Sequence, residues 1–303
     1  MRLLLAAAFL VATMSRAQDA PRSMDDLWRE ATLWEVGSNT EKVPAARKAL
    51  IARGAETLAW LVPAKLDTKD TLVTRALSVI VTGIGATASQ PLRDALTSDI
   101  ANVRRNAADL LGQLGDASSA PAIARLLEDT ETRGGALTAL GALKSRESVP
   151  AIAALLARTD GVKERERVLA ASTLGGIGGD DAQAALQRTL SDERAQVRWA
   201  AQLALEKIAA AAPLVPLTLS RANGPARLHA IAALGNIGDV SAAPILLPLL
   251  RDSVPQVRGF AAEALGRLKR AEDASALRDA LTRETDAFAR GKMESALVLL
   301  APR

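Results

Sequence analysis

The chain has 303 residues, a formal net charge of +4 and no cysteine. The absence of cysteine excludes disulfide bonds, thiolate metal sites and cysteine nucleophiles. Apolar residues make up 49% of the sequence and aromatic residues only 2%, which favours layers of Ala- and Leu-rich helices over a β-sandwich. Because 38 basic side chains are nearly balanced by 34 acidic ones, the charge gives no reason to expect a nucleic-acid partner.

The first 17 residues have the pattern of a secretory signal peptide. Arg2 gives a positive start, residues 3–13 form an apolar run, and Ser15 and Ala17 supply the small side chains of a cleavage site. We therefore expect cleavage after Ala17 and export to the periplasm or the cell exterior. The apolar run is too short to cross a bilayer as a folded helix, so no membrane span is expected after cleavage. The alternative is an uncleaved membrane anchor.

Residues 18–66 are predicted to form an N-terminal helical cap with a degenerate repeat. An opening helix is expected over residues 24–36, with Leu27, Ala31 and Trp34 on one face. Two tryptophans in this helix suggest that it covers the open side of the first regular repeat.

A sequence phrase recurs through residues 67–303. Its clearest copies begin at Asp99, Asp192 and Asp252; each carries an arginine and an alanine pair, and the first and third also carry a leucine-glycine step. The arginines recur at intervals of 29 to 34 residues, as Arg75, Arg104, Arg133, Arg167, Arg198, Arg227, Arg258 and Arg290. Such a period is typical of stacked helical repeats, because one repeat cannot bury its apolar face alone. Each repeat is predicted to hold a helix of the form VRxxAAxxLGxLG, a turn and a second helix.

Glycine positions and one charged run predict where helices end and where turns lie. Glycines near the end of the first helix of each repeat are expected to adopt left-handed backbone, namely Gly112, Gly141, Gly175, Gly235 and Gly266. The run from Lys163 to Arg167 alternates in charge and is interpreted as a solvated turn. The glycine cluster at residues 175–179 follows a helix instead of a strand, which indicates a helix end and not a phosphate loop.

The VRxxAAxxLGxLG pattern and its preceding aspartate resemble the HEAT-repeat family, in the short form found in phycobilisome-lyase-like repeats. The resemblance covers about residues 67–300 and, more weakly, residues 24–66. It implies an all-α fold, a right-handed α-solenoid of stacked antiparallel helix pairs with the VR-bearing helices on the concave face.

The resemblance also implies a structural ladder, in which turn aspartates and helix arginines form hydrogen bonds between units. The matching pairs are Asp99/Arg104, Asp129/Arg133, Asp192/Arg198, Asp252/Arg258 and Asp286/Arg290. The unit at Arg227 departs from the pattern, with Ser220 or Asn223 where aspartate is expected. We interpret the arginine row as structural and not as an anion-binding row, because a residue that recurs in every unit is explained by the unit.

The motifs contain no recognisable catalytic or metal-binding constellation. His229 is the single histidine, and it is followed by Ala230. A dinuclear iron site resembling that of deoxyhypusine hydroxylase needs several His-Glu pairs, and one histidine does not form a zinc triad. We therefore predict no metal, no cofactor and no enzyme activity, and interpret His229 and Phe260 as packing residues between repeats.

One exposed stripe is the best functional clue in the sequence. Helical phase carried along the repeats exposes five candidate partner-binding residues: Thr138, Val168, Trp199, Leu203 and Leu228. The last three would form an apolar patch, and such patches commonly bind partners. The alternative is ordinary packing, since single exposed apolar side chains need no explanation.

The sequence thus predicts an exported, non-enzymatic scaffold that binds a protein or peptide on its concave face. One alternative is a lyase-like subunit that binds a tetrapyrrole or another flat ligand in the same groove. A second alternative is a structural protein that self-associates through residues Leu297–Leu300, which no following repeat would cover.

Overall fold

The computed structural model describes residues 22–209, 211, 214–220 and 224–301, and no β-strand occurs among them. The chain divides into two compact units, Met1–Leu114 and Gly115–Arg303. The predicted signal peptide, residues 1–17, lies outside the described residues. The predicted boundary at residue 66 stays a prediction.

The first unit is a stack of helices around a leucine- and alanine-rich core. Its α-helices are α1 Met24–Ala31, α2 Asn39–Ala52, α3 Ala55–Lys65, α4 Thr71–Ile84, α5 Ser89–Ala95 and α6 Ala101–Leu114. Helix α2 packs on α1 and on α4, and α4 packs in turn on α6. No single helix in the described residues has the length and hydropathy of a membrane span; α4 and residues 86–95 meet the test only jointly, across a 113° bend.

The opening helix is shorter than the sequence predicts. It ends at Ala31, where the Thr32 hydroxyl donates a hydrogen bond to the Trp28 carbonyl at 3.0 Å. Trp34 therefore lies beyond the helix and is 63% exposed instead of sharing the buried face of Leu27. Trp28 is buried, because it packs edge-on against a second tryptophan of this unit, with ring centroids 5.9 Å apart.

The second unit repeats one pattern, a helix that starts near an arginine followed by a shorter helical segment. Its α-helices are α7 Ala120–Arg125, α8 Arg133–Ala142, α9 Val149–Ala157, α10 Glu164–Ile177, α11 Asp180–Thr189, α12 Ala195–Ile208, α13 Val215–Leu219, α14 Gly224–Ile237, α15 Ala243–Leu246, α16 Pro255–Leu268, α17 Ala274–Arg283 and α18 Ala287–Leu300. The arginine-bearing helices α8, α10, α12, α14, α16 and α18 pack on one another in succession. The predicted all-α solenoid of stacked helix pairs is confirmed.

The glycines near the ends of these helices serve close packing and not a left-handed turn. A Cβ atom added to Gly175 would lie 2.7 Å from the Ala204 Cβ, and one added to Gly235 would lie 2.6 Å from the Ala264 Cα. Both glycines have helical backbone. The prediction of left-handed conformation was therefore wrong, because the missing side chain is what lets consecutive helices touch. The left-handed residues come three positions later, as Gly115, Lys144, Gly178, Gly238 and Lys269.

Candidate functional site

Buried arginines near the helix starts connect consecutive repeats of the second unit. The Arg167 Nε donates a hydrogen bond to the Leu156 carbonyl at 2.9 Å, and its two Nη atoms bind the Asp192 carboxylate of the following repeat. The Arg227 guanidinium likewise donates to the Asp252 carboxylate at 2.6 Å. Arg167 and Arg227 thus each bind a main-chain carbonyl of the preceding helix and an aspartate carboxylate of the following repeat.

The expected pairs Asp192/Arg198 and Asp252/Arg258 are hydrogen-bonded, but through the main chain of each aspartate. Arg198 and Arg258 donate to the main-chain carbonyl oxygens of Asp192 and Asp252, at 2.7 and 2.8 Å. The carboxylates of those aspartates bind the arginine one repeat earlier, because they point back across the repeat boundary. Arg258 obtains its own carboxylate from Glu284, through bonds of 2.6 and 2.7 Å.

The last two residues of the charged run at residues 163–167 belong to this network. Arg133 donates to the Glu166 carboxylate at 2.9 Å, and both side chains are buried. Arg133 also donates to the Leu127 carbonyl at 2.8 Å. Glu166 and Arg167 lie in the first turn of α10, which buries them against neighbouring repeats. The solvated-turn interpretation was therefore wrong for Glu166 and Arg167, whereas Lys163 and Arg165 are exposed.

Two other arginines of the row, Arg104 and Arg290, make different contacts. The Arg104 Nη1 donates to the Ser98 carbonyl at 2.6 Å, and its pairing with Asp99 stays a prediction. Arg290 forms an exposed ion pair with a glutamate of its own helix, at 3.3 Å. The Asp286 carboxylate caps that helix by accepting from the Ala289 amide at 3.0 Å.

Arg198 is the exception within the row. Its Nη1 donates to the carbonyls of Asp192 and Glu193 at 2.7 and 3.0 Å. Among the described residues its buried Nε has no hydrogen-bond partner, and no carboxylate reaches ion-pair distance of its guanidinium. The positive charge of Arg198 is consequently not balanced by a carboxylate among the described residues, whereas Arg167 and Arg227 are each paired with an aspartate.

Arg198 lines a groove of about 710 Å³ over α12, α14 and α16. We name it the Trp199 groove; its principal side chains are those of Arg198, Trp199, Leu228, His229, Phe260 and Arg267. Trp199 is 59% exposed, so its indole forms an apolar surface open to solvent.

Two of the five predicted partner-binding residues, Trp199 and Leu228, line this groove together. Leu203 is 45% exposed but does not line the groove. Val168, which is half-buried, and Thr138, which is exposed, do not line it either. They fall outside because they sit on other turns or on earlier helices of the stack.

A hydrogen-bonded polar chain crosses the groove floor. The Gln202 side-chain NH₂ donates to Glu206 at 2.7 Å, which turns the Gln202 amide oxygen towards the His229 Nδ1 at 2.6 Å. His229 must therefore carry its proton on Nδ1. Burial lowers the pKa of His229, and the positive charge of Arg198 lowers it further. The neutral ring leaves Nε2 as a hydrogen-bond acceptor.

His229 thus contacts the preceding repeat through Gln202, whereas Phe260 contacts the following repeat through Phe288, with ring centroids 6.0 Å apart. Sequence reasoning missed Gln202 as a groove residue. The available signal was its spacing of one helical turn from Trp199, which places both on neighbouring parts of the same helix face.

The far rim of the groove is charged. Arg267 binds both Asn236 and Glu263, the latter at 2.6 Å, and the Lys292 amine donates to Glu263 at 2.5 Å. Glu263 is therefore neutralised by two cations. Within the described residues no group of three or more His, Cys, Asp or Glu side chains could hold a metal ion.

Comparison with known families identifies the repeats. The HEAT-repeat profile matches residues 89–169 and 211–298, which together exceed half of the chain. The chain belongs to the HEAT-repeat family. No curated protein matches this HEAT-repeat chain in sequence.

Several solved structures are similar to the HEAT-repeat chain in fold. A mutant of Kap121p has a TM-score of 0.50 at 14% identity; the alignment covers 93% of this chain and 38% of Kap121p. The CpcE–CpcF complex of phycocyanin lyase from Nostoc sp. PCC7120 has a TM-score of 0.40 at 21% identity, with coverages of 80% and 94%. Human deoxyhypusine hydroxylase has a TM-score of 0.34 at 23% identity, with coverages of 85% and 99%.

Proposed function

We propose that this HEAT-repeat chain is a non-enzymatic binding module that holds a segment of a partner protein or peptide in the Trp199 groove. The observation that carries the proposal is the exposure of Trp199 beside Leu228 at the groove wall. A large aromatic side chain in water is a source of binding free energy, because its burial removes apolar surface from solvent. Tryptophan is also enriched among the residues that dominate interfaces.

The dimensions and lining of the groove support a peptide-sized ligand. A volume of about 710 Å³ falls within the range of ligand sites in proteins. Trp199, Leu228 and Phe260 supply apolar walls, while His229 supplies one acceptor on the floor. This mixture suits an extended segment that buries apolar side chains and makes a few directed polar contacts.

The polar groups of the groove favour recognition over group transfer. Glu206 accepts hydrogen bonds from Gln202 and from Asn236, both amides, and Glu263 is held by cations. General acid–base catalysis needs a base aligned with a nucleophile or with the proton it removes. Glu206 and Glu263 are thus engaged by partners within the chain, which supports a binding role.

The proposed location is outside the cytoplasm, because the first 17 residues have the charge, apolar run and small residues of a signal peptide. Amino-terminal sequencing of the protein recovered from its native source tests this proposal. A chain that begins at Gln18 supports cleavage and export, and a chain that retains Arg2 contradicts cleavage after Ala17.

Selection from a random-peptide display library tests the binding function. The wild-type protein is expected to enrich a family of peptides, and Trp199→Ser is expected to weaken their binding by at least about ten-fold, the usual effect of removing an interface tryptophan. Trp34→Ser is the matched control, because Trp34 is similarly exposed but lies in the other unit. Equal binding by the two variants would contradict the proposal.

A second candidate function is self-association through the end of α18, where Val298 is 74% and Leu299 51% exposed. Adjacent exposed apolar side chains on a terminal helix are a common feature of contacts between chains. Sedimentation of wild type and of a Val298→Ser/Leu299→Ser variant tests this candidate. A wild-type protein that is monomeric at all concentrations rules it out.

A further inference from the structure

Arg167 and Arg227 bind a carboxylate of the following repeat, whereas Arg198 binds none among the described residues. Asp192 follows Arg167 by 25 residues, and Asp252 follows Arg227 by the same number. At that spacing after Arg198 the sequence has Asn223, which carries no charge. The sequence therefore has no carboxylate at that spacing after Arg198, and Arg198 lines the Trp199 groove.

An uncompensated guanidinium in a groove wall attracts a carboxylate. Water solvates Arg198 only in part, because the side chain is half-buried and its Nε is closed to solvent. The charge acts on the groove, since it contributes to the lowered pKa of His229. Of the other charged side chains in the lining, Glu263 is neutralised by Arg267 and Lys292. Glu206 accepts hydrogen bonds from Gln202 and Asn236 and not from Arg198. Arg198 is therefore the cation of the lining that has no carboxylate partner among the described residues.

We propose that the Trp199 groove selects partner segments in which an Asp or Glu side chain binds Arg198 beside an apolar side chain that packs on Trp199. The inference rests on the proposed binding function and adds the chemistry of the ligand. The carboxylate of the partner takes the role that Asp192 and Asp252 have for the neighbouring arginines, so the ligand completes the row of ion pairs.

Two pools of short peptides test this selectivity. Both pools have blocked termini and randomised flanks; one has a fixed central Glu and the other a fixed central Gln. Retention on the immobilised protein, quantified by mass spectrometry, is expected to be about ten-fold higher for the Glu pool, the effect of one charge-assisted hydrogen bond. Blocked termini ensure that the carboxylate comes from a side chain and not from a chain end.

Variants of the rung assign the preference to Arg198. Arg198→Gln is expected to retain the two pools equally, and Arg198→Lys to keep part of the preference because the charge remains. Asn223→Asp introduces a carboxylate 25 residues after Arg198, the spacing at which Asp192 and Asp252 bind Arg167 and Arg227, and is expected to lower the preference for Glu while leaving Arg198 in place. This variant keeps the test decisive if Arg198→Gln fails to fold, as judged by circular dichroism.

The outcomes separate the inference from the function on which it rests. Equal retention of both pools by the wild type, with loss of both in Trp199→Ser, overturns the acid selectivity and leaves the binding function intact. A Glu preference that survives in both Arg198→Gln and Asn223→Asp also overturns the inference. No retention of either pool overturns the selectivity and the binding function together.

Discussion

The guanidinium of Arg167 and the carboxylate of Asp192 form two parallel hydrogen bonds across the boundary between two HEAT repeats. Both side chains are about nine-tenths buried. Because the Arg167 Nε also binds the Leu156 carbonyl, one side chain links the end of α9, the start of α10 and the turn before α12. The repeat angle is thereby fixed by directed polar contacts in addition to apolar packing.

The Asp192→Asn variant is expected to lower the stability of the protein by about 3 kcal/mol, because it leaves a buried arginine without its counter-charge. Urea unfolding monitored by circular dichroism measures the change. An engineered pair of apolar side chains at these two positions would destabilise less than the single change, since no charge remains unpaired.

The exposed pair of Arg290 and Glu294 provides the control. Its side chains are 50% and 54% exposed, and their nitrogen–oxygen distance is 3.3 Å. The Glu294→Gln variant is expected to change stability by less than about 0.5 kcal/mol, since solvent screens such pairs. If both variants lose the same amount, burial is not what gives the Arg167–Asp192 contact its strength.

The period of the sequence predicts the fold because each repeat needs its neighbours to cover its apolar face, and that need is visible as a recurring phrase. The partners of the arginines were not predictable in the same way. Asp192 precedes Arg198 in its own unit and follows Arg167 of the unit before, so sequence spacing alone allows either pairing. The structure shows that the Asp192 carboxylate pairs with Arg167. A hydrogen bond from the Arg194 amide holds this carboxylate in place at the turn.

The groove was predictable in part for a related reason. Helical phase identifies Trp199 and Leu228 as outward-facing, because phase depends only on position within one helix. Which outward-facing residues meet depends on how α12, α14 and α16 stack, and that information lies between helices. For this reason Leu203, which was predicted to bind a partner, faces outward beyond the groove. Phe260, which was predicted to pack between repeats, lines the groove.

Acid is expected to weaken the second unit through Glu284. The hydrogen bond from Arg258 is the main cause that lowers the pKa of Glu284 from 4.5 to about 2; burial opposes it, and the amides of Asp286 and Thr285 assist it. A lowered folded-state pKa stabilises the protein fully above pH 4.5, and this stabilisation disappears as the pH falls towards 2. Its size is on the order of 3 kcal/mol.

The Glu284→Gln variant tests this pH dependence. Thermal unfolding between pH 6 and pH 2 is expected to show a lower melting temperature at pH 6 and a shallower loss towards acid than in wild type, because the variant has no proton to gain at this site. Glu294→Gln is expected to retain the wild-type slope. A Glu284→Gln profile parallel to wild type would show that other carboxylates control the acid transition.

Close contact between consecutive helices makes Gly235 intolerant of a side chain. The added methyl of Gly235→Ala would lie 2.6 Å from the Ala264 Cα, which is backbone and does not move aside. We expect a net loss of about 2 kcal/mol, although alanine is the better helix former. Gly291→Ala is the matched control, since a Cβ there meets nothing within 4 Å. It is expected to stabilise by roughly 0.5–1 kcal/mol, and urea midpoints of the two variants distinguish the explanations.

The pKa of His229 reports the charge in the Trp199 groove. Because His229 is the single histidine in the sequence, its ring resonances can be assigned without ambiguity. Burial and the nearby Arg198 both lower its pKa below 6.5, so the ring is expected to titrate below that value in a proton NMR series. Stability linked to this ring is present above pH 6.5 and declines as the pH falls below it. Arg198→Gln is expected to raise the pKa towards 6.5, whereas Trp34→Ser leaves it unchanged.

Saturation with the Glu peptide pool is expected to raise the His229 pKa as well, because a carboxylate at Arg198 cancels the charge that opposes protonation. The Gln pool binds the same walls without that carboxylate and is expected to leave the pKa at or below the value of the free protein. An equal shift with both pools would mean that the ring responds to burial by the ligand and not to its charge. The direction of the shift then separates the two effects, since desolvation lowers a histidine pKa and an added negative charge raises it.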